Sequence, residues 1–570
     1  MNIFFYREKI SLTIILKTLL ICVITVVIAL LDFYAYQKKG LYSIWANRLW
    51  IGGMIWFYCQ SLWFTGHIIW QDIRKRKVIG IVALMIVTIL ASFKINSFPI
   101  TLSGEGAIEE NTALEYMNKA DWGYTDTVLF GNISRQYIMT ALPSYFLGRD
   151  IVTHRLGPLL IFLSGIYMFY TGLRYYYSRS ASSTEFASLA VIAMLSFPVV
   201  IVMLRVFDAV ILPLAFTLQT IGFFLIVIKK PSLTTMSAFI WIFTMLSTVY
   251  TPALSPWFLL TFCVFIISIR EFIRKNGYLA ILWLSCFILS LSIGYNAYRT
   301  RSDIKLPQQN TITLKIAIDK SIESFEYFFI KNTHMYDQNV LYVGQLMFFP
   351  TVVYLIGAVL FFWNFKHFAL SLWIIATIII SGLSPGYARP PIHYGIHRAL
   401  VVLPFFLFGL IDVLTRYKIK LSSRLFFLLF VVLISYNTYS IHSIYRISQE
   451  NFDIRAVILR ETLSTAKKYS YNPNTEIQLG IFTKDDNLKF MEDHFNYFLP
   501  KYSLIKDQSP CTDSSNIHSF GIFYIDPSIC SEDFLRKNRH FSIEKISSEI
   551  LKKKYPQLYK VIYIPSQKIY

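Results

Sequence analysis

Runs of about 20 apolar residues recur along this chain of 570, separated by short polar links, and no other feature limits its fold so narrowly. A hydrocarbon layer of roughly 30 Å offers no water to backbone N–H and C=O groups, so a segment that crosses it must satisfy them internally, as a helix does. The composition agrees: at 55% hydrophobic, 17% aromatic and only 15% charged, the chain is too apolar for a soluble protein of several domains. A formal charge of +20 raises the question of nucleic acid. The basic residues, however, sit in short clusters between apolar runs, where topology and lipid headgroups account for them, and no nucleic-acid partner is expected.

The first spans read Ile10 to Leu31, Leu49 to Trp70 and Val78 to Phe98, the first with no small-residue cleavage site after it. Between the second and third lies Gln71-Asp72-Ile73-Arg74-Lys75-Arg76-Lys77, a short basic loop that the positive-inside rule assigns to the cytoplasm. The third helix then exits outward, followed by an external loop over residues 99–155. Further helices are expected near Leu156 to Leu173, Phe186 to Leu204, Ala209 to Ile228, Leu233 to Tyr250, Leu254 to Ile269, Tyr278 to Tyr295, Gly344 to Trp363, Phe368 to Leu383, Arg398 to Leu414 and Leu425 to Ile441. Arg174 and Arg179, Lys229 and Lys230, Arg270 and Lys275, and Arg416 to Arg424 all fall in loops that this alternation makes cytoplasmic. Lys38, Lys39 and Arg48 do not, unless the first two helices form a re-entrant pair. The expectation is an all-α polytopic membrane domain over 1–444 with about 13 helices. Its N-terminus is inside, and a second long external loop spans 296–343.

From about Tyr445 the sequence turns polar. Short β-like runs, Ile477 to Phe482 and Phe520 to Ile525, alternate with amphipathic Lys-rich stretches, the pattern of a small α/β domain over 445–570. An odd number of spans sends it outside. Cys511 and Cys530 lie there and can pair in an oxidising compartment, whereas Cys22, Cys59, Cys263 and Cys286 lie in apolar runs and read as inert core thiols.

The ionisable residues of the external segments are the candidates for chemistry. Glu105 stands between Gly104 and Gly106, and Glu109 and Glu110 follow one helical turn later, which puts Glu105 and Glu109 on one face if the segment is helical. This spacing fits either a solvated acidic helix start, favoured by the helix dipole, or carboxylates held at the membrane face. Asp208 lies at the next outward turn beside Arg205, either as an interfacial ion pair or as an ionisable group marking a site. Arg135 has the planar fork that grips a phosphate, or else it snorkels to headgroups. His393, His397 and Arg398 follow Arg389-Pro390-Pro391 in a later outward loop. The two histidines are spaced i, i+4, but no third ligand is placed by the sequence and the prolines oppose a settled helix, so a cationic lip rather than a metal site is expected. No phosphate-cradling glycine loop, Gly-x-Ser-x-Gly elbow or Cys-x-x-Cys is present.

Ser103-Gly104-Glu105-Gly106, Ala113-Leu114-Glu115-Tyr116-Met117, Ala120-Asp121-Trp122, Arg135 and Thr153-His154-Arg155-Leu156-Gly157-Pro158, in that order, resemble the first external loop of the GT-C membrane glycosyltransferases. The likeness is to the protein O-mannosyltransferase and lipid A aminoarabinose transferase branch. There the loop runs from an acid after an early helix, through Gly-Asp-Trp and Lys-Pro-Pro, to Arg-Leu-Pro. On this resemblance Glu105 takes the place of the catalytic Asp, Arg135 that of the Lys, Asp208 that of the second external acid, and His397-Arg398 with Leu403-Pro404 that of the late basic helix start. The chain departs from the pattern at five points: Glu for Asp, Gly106 for the usual second acid, Gln136-Tyr137 for Pro-Pro, two extra helices before the loop, and Tyr250-Thr251-Pro252 where Lys-Gly-Pro is common.

The resemblance implies an inverting transferase in a bacterial cytoplasmic membrane, moving a sugar from a polyprenyl-phosphate donor to a glycan, lipid or protein at the outer face. Glu105 would be the general base and Asp208 would orient a substrate. Glu109, Glu110, Arg135, Arg205, His393, His397 and Arg398 would line the binding site, and no cofactor is expected; a divalent metal is unnecessary if arginines neutralise the phosphate, and is otherwise left open. An O-antigen polymerase or ligase predicts instead that arginines and histidines of the later loops matter most. A secondary transporter would show charged or broken helices at mid-membrane, often in two similar halves.

Overall fold

The computed structural model describes residues 12–37, 42–96, 104–118, 127–128, 132–206, 211–248, 277–300, 333–336, 339–342, 348–363, 400–417, 419–450, 454–469, 476–483, 501–505, 519–538, 540–548 and 555–564, with a few single positions besides. In chain order the helices are α1 (Leu12–Gln37), α2 (Tyr42–Arg74), α3 (Ile79–Ser92), α4 (Gly104–Asn118), α5 (Ser134–Leu147), α6 (Ile151–Tyr176), α7 (Ser183–Leu195) and α8 (Pro198–Val206). They continue with α9 (Ile211–Lys229), α10 (Leu233–Thr248), α11 (Gly277–Thr300), α12 (Phe348–Trp363), α13 (Leu403–Arg416), α14 (Ser423–Glu450), α15 (Ile454–Lys468) and α16 (Glu532–Lys537). Short hairpins β1–β2 (Thr127–Val128, Asn132–Ile133) and β3–β4 (Thr333–Tyr336, Asn339–Tyr342) lie between helices.

Helices α6 and α9 form the centre of the bundle, and they pack backbone on backbone. A Cβ added at Gly172 would stand 2.2 Å from the carbonyl oxygen of Gly222, and one at Gly222 would stand 2.3 Å from that of Met168. Only glycine permits this approach, the device by which helices associate where lipid is as apolar as their own side chains. Around this pair, Phe57 and Phe64 of α2 meet Phe223 of α9, and Trp283 of α11 meets Phe224, Phe239 and Phe243.

Outward faces are apolar too. Leu12, Leu16, Val23, Val27 and Leu30 of α1, and Phe427, Leu428 and Val431 of α14, are all exposed. Exposed apolar belts of this size on helices belong against lipid. Among the described residues, four helices are long and apolar enough to cross a membrane: Leu12–Leu31, Ile151–Tyr176, Ile211–Lys229 and Ser423–Arg446. A fifth follows if α7 and α8 are one span, and six shorter helices are also apolar. The expected count of about 13 is therefore not reached among them. The spans expected at Leu254 to Ile269 and over most of Phe368 to Leu383 lie outside the described residues.

Several expected boundaries shift for identifiable reasons. The single helix expected over Phe186 to Leu204 is two, bent by 67° at Ser196–Phe197. Pro198 lacks the N–H that would continue the ladder and disfavours the helical region at Phe197. Helix α2 runs through Arg74, so Asp72 belongs to a helix and not to a basic loop. Its carboxylate is buried and accepts from Arg174 Nη2 at 2.8 Å, Arg174 Nε at 3.2 Å and Tyr170 Oη at 2.9 Å. Cys59 is exposed on α2, so it is not a core thiol, while Cys286 is buried.

The described basic turns gather at one end of the bundle. Arg174 also donates to Ser183 Oγ (3.0 Å), Lys229 to the Tyr176 carbonyl (3.4 Å), the Leu421 amide to Ser182 Oγ (3.3 Å), and Tyr177 Oη to Asp412 Oδ1 (3.0 Å). Arg74, Lys75, Arg76 and Lys77, Arg179, Lys230, Lys420 and Arg424 all belong to these turns.

Helix α14 is continuous to Glu450, past the residue at which the sequence divides the chain, and a five-stranded sheet follows in the order β6-β5-β7-β9-β8. Its strands are β5 (Ile477–Phe482), β6 (Tyr502–Leu504), β7 (Gly521–Ile525), β8 (Phe541–Glu544) and β9 (Tyr559–Tyr563). The two runs expected to be strands are β5 and β7, which pair in parallel. All five residues of β7 are buried, as a central strand covered on both faces demands. Helix α15 packs on this sheet through a buried polar cluster. Glu461 accepts from Lys560 Nζ (2.8 Å) and from the Ser547 and Ser548 amides (2.8 and 2.9 Å), while Lys560 also reaches Thr465 Oγ1 (3.1 Å) and Glu544 (3.2 Å). Cys530 is disulfide-bonded, to a partner outside the described residues.

Two outcomes follow. Gly222→Ala should lower the thermal midpoint in detergent, because a Cβ must push α6 and α9 apart, whereas Gly66→Ala, with open space around it, should leave that midpoint unchanged or slightly raised. Burial opposes the Glu461 carboxylate, but Lys560 and the Ser547 amide and hydroxyl outweigh it and hold its pKa below the usual range. That stabilisation is fully present above the unfolded carboxylate value near 4.5 and is lost as pH falls through the depressed folded value. Pepsin cleavage of the C-terminal domain should thus separate the parent from Glu461→Gln at pH 5 and converge as the pH is lowered.

Candidate functional site

The segment expected to be an external loop is largely helical, and its geometry starts from two turn residues. Gly148, at φ +92°, ends α5 with its amide on the Ser144 carbonyl at 3.1 Å, a left-handed conformation that glycine adopts without strain. Asp150 then caps α6. Its carboxylate accepts from the Val152 and Thr153 amides at 2.5 and 3.1 Å, and Thr153 Oγ1 accepts from the Asp150 amide at 2.9 Å. This reciprocal box starts the helix at Ile151, five residues before the expected Leu156. His154 and Arg155 are thereby carried into the first turns of α6 rather than in a loop.

Helix α5 packs against both α4 and α6. At its crossing with α6, a Cβ on Gly157 would fall 1.9 Å from the Thr140 carbonyl oxygen, so backbones again touch. Helix α4 is polar in sequence yet buries Gly106, Ala107, Glu110, Ala113, Leu114 and Met117, one stripe at helical spacing. One tie fixes its flank: Arg149 Nη1 donates to Asn111 Oδ1 (2.9 Å), and within the helix Asn111 Nδ2 donates to Glu115 Oε1 (3.2 Å). Deeper, His154 Nδ1 lies 2.5 Å from Glu110 Oε2, with both side chains 0% exposed.

The C-terminal domain meets the same end of the bundle. The ring of Phe498 stands edge-on to His154, centroids 5.8 Å apart. Arg460 of α15 donates to the Asn96 carbonyl (2.8 Å), beside the Ile95 carbonyl that accepts from Arg155 Nη1 (3.0 Å). Lys94 lies over the Tyr445 ring at 3.9 Å. Residues 94–96 after α3, the start of α6, the end of α14 and the small domain therefore share one end, opposite the Asp72–Arg174 pair.

Glu105 lies in the first turn of α4 and Glu109 one turn on, so the helical condition for their sharing a face is met. Arg135 lies in the first turn of α5, and Arg205 near the end of α8. The side chains of these four residues, and Asp208, His393, His397, Arg398 and Cys511 entirely, lie outside the described residues. Glu110 faces a protein partner, His154. That histidine was legible only as part of a motif, because nothing local pairs positions 44 residues apart. Among the described residues no group of three histidines, cysteines or acids is placed to hold a metal.

The chain is a mostly helical bundle with apolar outer faces and a small C-terminal sheet seated on one end. No protein-family model matches it, and neither does any curated protein. Among solved structures it is similar to two crystal structures of ArnT from Cupriavidus metallidurans, one in the apo state and one bound to undecaprenyl phosphate. The identities are 10% and 11% and the TM-scores 0.47 and 0.46, over 85% of this chain and 98% of each ArnT chain. A likeness at this level assigns no residue its role.

Removing the cap tests the local construction. Asp150→Ala should cost about 1 kcal/mol and speed hydrogen exchange at the Val152 and Thr153 amides, with the centre of α6 unaffected.

Proposed function

We propose that this chain is a membrane glycosyltransferase that moves a sugar from a polyprenyl-phosphate donor to an acceptor at the outer face of a bacterial cytoplasmic membrane. The observation that carries the reading is the layer formed by α4 and α5 over the start of α6, with Glu105, Glu109 and Arg135 in its helical turns. These residues belong to the motif that resembles the GT-C first external loop. The gathering of basic turns at the opposite end supports an orientation with that end in the cytoplasm. The disulfide at Cys530, for which Cys511 is the proposed partner, supports an oxidising compartment for the small domain.

In this mechanism the acceptor hydroxyl gives its proton to the Glu105 carboxylate as its oxygen attacks the anomeric carbon from the face opposite the phosphate. The bond from that carbon to the phosphate oxygen breaks, and the configuration inverts. Arg135 and Arg398 neutralise the departing polyprenyl phosphate, since guanidinium matches phosphate oxygens two at a time. Asp208 orients acceptor or sugar. Charge on the leaving group is thus met by arginine, and the step requires no cofactor.

The parent and Glu105→Gln, purified and shown to be folded, should be offered radiolabelled polyprenyl-phosphate sugars with membrane extract as acceptor. The parent should transfer at least one sugar and the variant should be slower by about 10²- to 10⁴-fold, the usual contribution of general base catalysis. Equal rates would remove Glu105 from the role of base. Failure of the parent both to transfer any sugar and to bind any of the donors would overturn the transferase reading.

A further inference from the structure

The contact between His154 and the small domain reaches further than docking. Phe498 touches the His154 ring, and Nδ1 of that ring is bonded to Glu110 on α4, the helix whose first turn holds Glu105. All three side chains are buried, Phe498 at 4% exposure and the other two at 0%. The geometry points to Phe498, His154 and Glu110 as a positioning relay, by which the C-terminal domain sets the placement of α4 and so of the base. This inference rests on the transferase reading for what α4 does, and on the packing alone for what holds α4.

The physical reason is that apolar contact fixes the position of α4 less sharply than a directional polar bond does. Its buried stripe, Gly106, Ala107, Ala113, Leu114 and Met117, holds it on the bundle, but that contact has no direction and leaves a small slide or rotation open. The Arg149–Asn111 bond restrains one flank only. The directional restraint at depth is the Glu110–His154 bond, whose direction depends on the orientation of the imidazole. That ring is wedged by Phe498, and the domain bearing Phe498 is itself tied to the end of α3 through Arg460 and Asn96. Removing the wedge lets the imidazole turn, the bond lengthen and α4 shift. A displacement of about 1 Å at a reacting group can cost on the order of 100-fold in rate. In this relay the three act through Glu105 and not on the reacting atoms.

The test uses the full-length chain in detergent or nanodiscs, with Phe498→Ala, His154→Ala, their double variant and His154→Asn, whose amide nitrogen falls near the place of Nδ1. Hydrogen exchange over residues 104–118 should accelerate in both alanine variants, while the centres of α6 and α9 stay protected. Transfer should fall by about tenfold or more in kcat with the donor KM little changed. The double variant should be no worse than the poorer single, because both act through one relay. His154→Asn should recover much of the loss. Unchanged exchange and rate in both alanine variants would overturn the relay, as would additive losses in the double variant. Should the parent show no transfer while exchange over 104–118 still rises in the variants, the relay stands and only the transferase reading falls. If His154→Ala does not fold, Phe498→Ala decides alone by the same exchange and rate criteria.

Discussion

The approach of α6 and α9 at Gly172 and Gly222 is the constraint on which the rest of the bundle depends. Inside a bilayer, apolar side chains gain nothing by leaving lipid for one another, so helices associate by close packing and by polar bonds they cannot make elsewhere. Backbone contact at those glycines supplies the first. It makes α6, 26 residues or about 39 Å long, a stiff bar across the molecule. His154 stands near one end of the bar and Arg174 near the other. A tilt that opened the glycine contact would disturb both sets of polar partners at once.

Buried polar pairs supply the second. The Asp72–Arg174 ion pair joins α2 to α6 and the Glu110–His154 hydrogen bond joins α4 to α6, as the Glu461–Lys560 ion pair joins α15 to β9 in the small domain. Such pairs add little net stability, because taking charges out of water costs nearly what their attraction returns. They discriminate between alignments all the same. An apolar helix can slide or rotate by one residue at small cost, but a slide that parts Asp72 from Arg174 strands two buried charges. Each pair therefore selects one alignment among many of similar apolar burial.

These pairs are also where sequence reading falls short. The apolar runs and the alternating strands β5 and β7 were legible, because each is written in a local period of 3.6 or 2. The bend before Pro198 was equally local, but a continuous apolar run masked it. Asp72 amid five charged or polar neighbours reads as a solvated loop, and only the meeting of α2 with α6, about 100 residues on, makes it a core residue. His154 reads as one letter of a motif until Glu110 and Phe498 arrive from 44 residues before it and 344 after it. The polar composition of α4 hid a helix, since its buried stripe mixes Gly106, Ala107, Glu110 and Ala113 with only two large apolar side chains, Leu114 and Met117. Of the candidate site, the segment was legible and the internal partners of its residues were not.

The make-up of that stripe bears on what α4 can do. Leu114 and Met117 bury it against the bundle, while Gly106, Ala107 and Ala113 let it approach closely. Apolar contact has no direction, so it leaves a helix free to turn or slide slightly at small cost. The bonds at Asn111 and Glu110 are directional and change sharply with a small rotation of a partner. On the transferase reading, a helix placed in this way carries a base that must meet its substrate within a few tenths of an ångström, and that meeting depends on the domain that lies against His154.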